Sequence, residues 1–208
     1  MALIKLNNRG VRNVSTFGSV GGGSLTFIKK LTASSSATLS FEDGSASVVL
    51  DDTYKEYLFT FNNIHPQTDS EEFTFQGNAA GGSGYNETIT STNFAAQHEE
   101  DDSPTELSYD GSGDAAQSTG FVQLTGHNDV GGGGADESLS GYLHLFNPSS
   151  TTFVKHWTAS CQHYGHENRS VNTYTAGYFN TTSAIDEIQF KMSSGNIDAG
   201  DICLYGIK

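Results

Sequence analysis

The chain has 208 residues, of which 24 are acidic and 10 are lysine or arginine, so its formal net charge is −14 at pH 7. This charge excludes nucleic-acid binding, because phosphate recognition needs clustered surface lysines and arginines. Thirteen Phe and nine Tyr exclude a disordered chain, and no apolar run approaches the roughly 20 residues that span a bilayer, so no membrane segment is predicted.

The first residues differ in charge from the rest. Residues 1–41 contain no acidic residue and five basic ones, hence +5, whereas the remaining 167 residues hold 5 basic and 24 acidic residues, hence −19. A Gly21-Gly22-Gly23 hinge follows the basic start. We predict that residues 1–24 form an extended N-terminal anchoring arm, in which Lys5, Arg9 and Arg12 contact an acidic surface. The alternative is an edge strand folded on the domain itself.

Residues 25–208 are predicted to form a single β-sandwich domain. Apolar and polar residues alternate along short segments, which indicates strands with one face inward. The clearest apolar sets before residue 100 are Leu25, Phe27 and Leu31, and then Tyr57, Phe59 and Phe61. Residues 98–120 contain an acidic run and many Gly, Asp and Ser residues, so we expect a long exposed excursion there.

The second half continues the strand pattern. Leu139 to Phe146 has apolar residues at both odd and even positions, so both faces of this strand are predicted to be covered. The next strands are predicted to place two sets on common faces: Phe153, Trp157, Ala159 and Cys161, with Trp157 in the core, and Tyr174, Ala176 and Tyr178.

The last segments, 184–192 and 197–208, predict two strands that close one sheet, joined by the turn Ser194-Gly195-Asn196. The total is eight to ten strands, with no apolar stripe long enough for a stable helix. The sequence therefore predicts an all-β fold, an antiparallel, jelly-roll-like β-sandwich.

The side chains that could do chemistry do not form a recognisable catalytic motif. Cys161, His163, His166 and Glu167 are possible metal ligands, but their spacing matches no zinc motif. Asp110-Gly-Ser-Gly-Asp114 is either a turn or a loose calcium loop that lacks the carboxylates of an EF-hand. We therefore predict no enzyme activity, no cofactor and no metal. Cys161 and Cys203 are predicted to be buried free thiols, as in a chain made in a reducing cytosol.

Tyrosines in the second half are the remaining candidates for a binding site. Tyr164, Tyr174 and Tyr178 are predicted to contact a glycan from loops, since aromatic rings stack on sugars. The alternative is that these side chains fill the core or a subunit interface.

Three segments resemble structural proteins of marine tailed bacteriophages. They are the opening M-A-L-I-K-L-N-N-R, Thr53 to Asp69, and Ser193 to Ile207. The resemblance implies a non-enzymatic virion protein on the particle exterior, such as a capsid decoration or cement protein or a fibre protein. It further implies a homotrimer that is made in the bacterial host cytoplasm and contacts other virion proteins. The alternative is a carbohydrate-binding module of a tail fibre that recognises a host surface glycan.

Overall fold

A computed structural model describes residues 24–103, 105–126 and 129–208, and in these residues it shows strands and no helix. The predicted all-β antiparallel sandwich is confirmed, while its jelly-roll character stays a prediction. The strands are β1 (Leu25–Thr32), β2 (Leu39–Glu42), β3 (Glu56–Pro66), β4 (Phe73–Ala79), β5 (Ile89–Glu99), β6 (Thr105–Tyr109), β7 (Val122–Gln123), β8 (Leu139–Phe146), β9 (Lys155–Gly165), β10 (Arg169–Phe179), β11 (Ile185–Met192) and β12 (Ile197–Ile207).

The strands form two sheets of unequal size. The large sheet has eight strands in the order β1-β12-β3-β8-β9-β10-β5-β6, and the small sheet has four in the order β2-β11-β4-β7. Every pairing between neighbouring strands is antiparallel. One face of each sheet packs on the other sheet, so alternate residues of each strand enter a shared core.

Aromatic side chains join the two sheets. Phe190 on β11 lies at the centre, with its ring 5.4 Å from that of Phe59 and 5.3 Å from that of Phe61, both on β3 of the large sheet. Phe75 on β4 meets Trp157 on β9 edge to face at 4.8 Å. Trp157 is 1% exposed, which confirms its predicted place in the core.

Strand β4 is buried along its whole length, including its polar residues. Loops cover the face of β4 that points away from the large sheet, and the side chain of Gln76 forms hydrogen bonds with backbone carbonyl groups of these loops. Its Nε2 lies within hydrogen-bond distance of the carbonyl oxygens of Glu87, Thr119 and Gly120 at 2.8–3.3 Å. A buried amide with several carbonyl partners avoids the cost of an unpaired polar group.

The described residues contain twelve strands, so the predicted count of eight to ten is too low. The excursion predicted for residues 98–120 contains β6, which pairs with β5. Two side chains of this segment, Asp110 and Ala115, are buried. Strand β6 has five residues, most of them exposed, and lies at the edge of the sheet. A short edge strand with few buried side chains shows little apolar–polar alternation, so the sequence indicates it only weakly.

The prediction that the last two strands close one sheet is wrong. Strand β11 lies between β2 and β4 in the small sheet, whereas β12 lies between β1 and β3 in the large sheet. The predicted turn is present, with Gly195 at a φ of +68°. The chain therefore crosses the sandwich at this turn, and sequence alternation gives no signal for which sheet a strand joins.

Three predictions about faces also fail. Phe153 precedes β9 and is 70% exposed, so it does not share the face of Trp157. Strand β8 is not covered on both faces, since Tyr142 on its outer face is 45% exposed. In β1, a bulge between Phe27 and Lys29 breaks the alternation, and both Leu25 and Phe27 are exposed.

The two cysteines are free and buried, as the sequence analysis favours. Cys161 has a raised thiol pKa because burial disfavours the thiolate. The predicted anchoring arm, including Lys5, Arg9 and Arg12, lies outside the described residues apart from Ser24.

Candidate binding face

The outer face of the large sheet carries a row of aromatic side chains. Cross-strand pairing places Tyr142 of β8 opposite Ser160 of β9, Ser160 opposite Tyr174 of β10, Tyr174 opposite Phe94 of β5, and Phe94 opposite Tyr109 of β6. Neighbouring strands lie about 4.8 Å apart, so this row extends roughly 19 Å across five strands. We call it the aromatic row.

The side chains of the aromatic row face solvent. Tyr142, Tyr174 and Phe94 are 44–45% exposed, and Tyr109 is 59% exposed. The rings of Phe94 and Tyr174 stack with their centroids 5.1 Å apart and an interplanar angle of 14°. Stacking of these two side chains restricts their rotamers, which leaves a rigid flat surface.

The next row along the strands has short side chains and forms a groove. Thr158 of β9 lies opposite Ala176 of β10, and Ala176 lies opposite Thr92 of β5. These three residues line two adjoining depressions of about 320 and 210 Å³. Successive outward residues of a strand are about 7 Å apart, so the groove runs beside the aromatic row.

A second aromatic wall closes the other side of the groove. Tyr178 of β10 lies opposite His156 of β9, with ring centroids 5.9 Å apart. Gly177 makes the strand-to-strand fit possible, since a Cβ there would lie 2.5 Å from the carbonyl oxygen of Thr90 and 2.8 Å from the Trp157 ring. The groove therefore has a floor of small residues between walls of aromatic rings.

The lining of the groove is apolar and hydroxyl-bearing, without a formal charge. Threonine hydroxyls both donate and accept hydrogen bonds, and ring faces attract the weakly polarised C–H groups of a flat ligand. The groove as the structure describes it presents ring faces and hydroxyl groups and is lined by no carboxylate.

Tyr174 and Tyr178 lie at this groove, but Tyr164 does not. All three lie on strands, Tyr164 on β9 and Tyr174 and Tyr178 on β10, so their predicted placement in loops is wrong. Tyr164 lies near the end of β9, where its hydroxyl donates to Oδ1 of Asn168 at 3.0 Å. Burial and neighbouring carboxylates, Glu100 first among them, raise its pKa. Its surroundings are acidic and thus unlike the groove.

Sequence reasoning missed Phe94, Tyr142, Tyr109 and His156. Phe94 lies in a Thr-rich segment that predicts a strand, and its parity matches that of Thr90 and Thr92. Nothing local in the sequence indicates that β5 and β8 flank the β9–β10 hairpin, with β5 beside β10 and β8 beside β9. Only the order of the strands in the sheet brings these residues together, and that order depends on contacts between residues distant in sequence.

The candidate metal ligands do not converge. Cys161 and His163 are fully buried on the inner face of β9, whereas His166 and Glu167 lie in the turn that follows. In the parts of the chain that the structure describes, no three His, Cys, Asp or Glu side chains are grouped to hold a metal ion. Among the same residues, no helix is long and apolar enough to cross a membrane.

Comparisons with known proteins provide no relative for this chain. No protein family model, no curated protein and no solved structure matches it.

Proposed function

We propose that the protein is a non-enzymatic binding component of the exterior of a tailed-phage virion, and that the groove of its large sheet binds a neutral host surface glycan. The observation that supports this proposal is the groove between the Phe94–Tyr174 stack and Tyr178. Sugar rings present apolar faces that stack on such side chains, and their hydroxyls pair with threonines. A chain with a net charge of −14 repels anionic polysaccharides, which favours a neutral ligand.

A glycan-array measurement followed by titration calorimetry tests this proposal. We expect wild-type protein to bind neutral glycans, and Tyr174→Ala to weaken binding at least about tenfold, which corresponds to about 1.4 kcal/mol for a lost stacking contact. Tyr164→Ala is the matched control, because Tyr164 lies on the same sheet but outside the groove. Equal loss in both variants, or no glycan binding by the wild type, would contradict the proposal.

A second copy of the chain is the competing occupant of this face. Light scattering of wild type and Tyr174→Ala separates the two cases. If the wild type is an oligomer that Tyr174→Ala converts into a monomer, the groove is a subunit contact and the glycan proposal is wrong. We expect the oligomeric state, proposed as a homotrimer, to be the same in both.

The place on the virion rests on the resemblance of three segments to phage structural proteins and on the charge of the start of the chain. The opposite charges of residues 1–41 and 42–208, +5 and −19, support anchoring by an arm of residues 1–24 on other virion proteins. Deletion of residues 1–23 should leave a folded protein that no longer joins particles. Normal incorporation of this truncated protein into virions would overturn the anchoring role.

A further inference from the structure

A group of buried polar atoms beneath the large sheet lacks partners. Asn93 of β5 is 0% exposed, and neither its Nδ2 nor its Oδ1 has a hydrogen-bond partner among the described residues. Asp110 is 4% exposed, and its Oδ2 is equally unpartnered. Thr175, which lies opposite Asn93 on β10, has an unpartnered buried Oγ1. A buried polar atom without a partner loses its hydrogen bonds to water without replacement, so a bound ligand that supplies a partner would stabilise this arrangement.

The atoms of Asn93 and Asp110 converge between two glycines. A Cβ on Gly113 would lie 2.6 Å from Nδ2 of Asn93 and 2.8 Å from Oδ2 of Asp110. A Cβ on Gly126 would lie 2.5 Å and 2.6 Å from the same two atoms. Two separate loop segments therefore lack a side chain at the point where the amide and the carboxylate meet. The assignment of nitrogen and oxygen in an asparagine amide is interchangeable, so either atom of Asn93 can face the carboxylate.

The carboxylate of Asp110 is half satisfied. Its Oδ1 accepts hydrogen bonds from the backbone nitrogen of Ser112 at 2.9 Å and from the Ser112 hydroxyl at 2.6 Å. No lysine, arginine or histidine forms an ion pair with Asp110 in the described part of the chain. A buried negative charge with one free oxygen and no cationic partner requires compensation.

We propose that Asp110, Asn93 and Thr175 form a Ca²⁺ site that fastens the loop of residues 110–126 to the inner face of β5 and β10. Carboxylate, amide and hydroxyl oxygens are hard ligands, which Ca²⁺ accepts in flexible numbers of six to eight. Main-chain carbonyls and water complete such a set. The cation neutralises Asp110 and satisfies the unpartnered oxygens. Because the described residues of the site supply a single carboxylate and no thiolate or imidazole, they do not suit zinc.

The proposal is tested on the full-length protein by metal analysis and thermal unfolding. We expect protein purified in Ca²⁺ to contain one equivalent by elemental analysis. After EDTA treatment, Ca²⁺ at about 100 times its Kd should raise Tm by about 5 °C or more. Mg²⁺ at the same concentration is the control for general screening of the −14 charge and should raise Tm by much less. Equal effects of the two cations, or no bound calcium, would overturn the proposal.

Matched variants locate the site. Asp110→Asn should abolish the Ca²⁺-dependent rise in Tm, while Asp114→Asn, four residues away in the same loop, should keep it. Gly113→Ala should also abolish the rise, whereas Gly111→Ala should not, because nothing lies within 4 Å of a Cβ at Gly111. If Asp110→Asn does not fold, the glycine pair and the metal content of wild type still decide the question. A Ca²⁺ response that survives Gly113→Ala would place the cation elsewhere.

Discussion

At the scale of single residues, glycines fix how closely the strands approach. A Cβ on Gly141 of β8 would lie 2.3 Å from the carbonyl oxygen of Ser160 and 2.8 Å from Cα of Cys161, both backbone atoms of β9 that cannot move aside alone. We expect Gly141→Ala to lower the free energy of unfolding by about 1–3 kcal/mol through overpacking. Urea titration measures this loss. Gly111→Ala, which meets nothing within 4 Å, should stay within about 0.5 kcal/mol of the wild type, and equal losses would refute the steric argument.

At the scale of elements, β11 joins the two sheets through Phe190. Its ring contacts those of five other phenylalanines, which lie on β2, β3 and β4: Phe41, Phe59, Phe61, Phe73 and Phe75. Phe190→Ala should cost about 3–5 kcal/mol, because the rigid rings around it cannot close the cavity. Phe153→Ala, at a side chain that is 70% exposed, should change stability by less than about 0.5 kcal/mol. Chemical denaturation of both variants tests the difference, and a small loss for Phe190→Ala would mean that the core repacks freely.

The same elements show what the sequence can predict. Period-two alternation identifies β3, β9 and β11 because their apolar side chains are largely buried on one face, and it places Trp157 in the core. In β10 the alternating set, Tyr174, Ala176 and Tyr178, lies on the outer face instead. Alternation does not reveal that β11 and β12 belong to different sheets, since both have the same alternation. The groove depends on Phe94 lying beside Tyr174, residues 80 positions apart that pair across β5 and β10. The sequence therefore indicates Tyr174 and Tyr178 as candidates, whereas the other four aromatic residues of the site require the strand order.

At the scale of the whole molecule, charge acts against the fold. Twenty-four acidic residues against ten basic ones give a net charge of −14, and self-repulsion of this size destabilises a compact state unless salt screens it. Two carboxyl groups have pKa values that burial and acidic neighbours raise together. Burial raises the pKa of Asp129, and the neighbouring Glu72 raises it further. Burial likewise raises the pKa of Asp186, with a contribution from Glu187.

These raised pKa values predict that mild acid stabilises the protein. A carboxyl whose folded pKa exceeds its ordinary value of 3.8 binds more protons in the folded state, so the free energy of unfolding increases as pH falls from neutrality towards 3.8. Hydrogen bonds lower the pKa values of Asp51, Asp101 and Asp201. These three carboxylates stabilise the folded state above pH 3.8, and this stabilisation is lost as the pH falls further.

We therefore expect Tm to rise as the pH falls from 7 towards 3.8 and to decrease at lower pH, as measured by thermal unfolding at constant ionic strength. Asp186→Asn should lose part of this gain, because the amide cannot take up a proton as the pH falls towards 3.8. A wild-type Tm that declines steadily as the pH falls from 7 towards 3.8 would contradict this prediction, because the carboxyls with lowered pKa values lose their contribution only below 3.8.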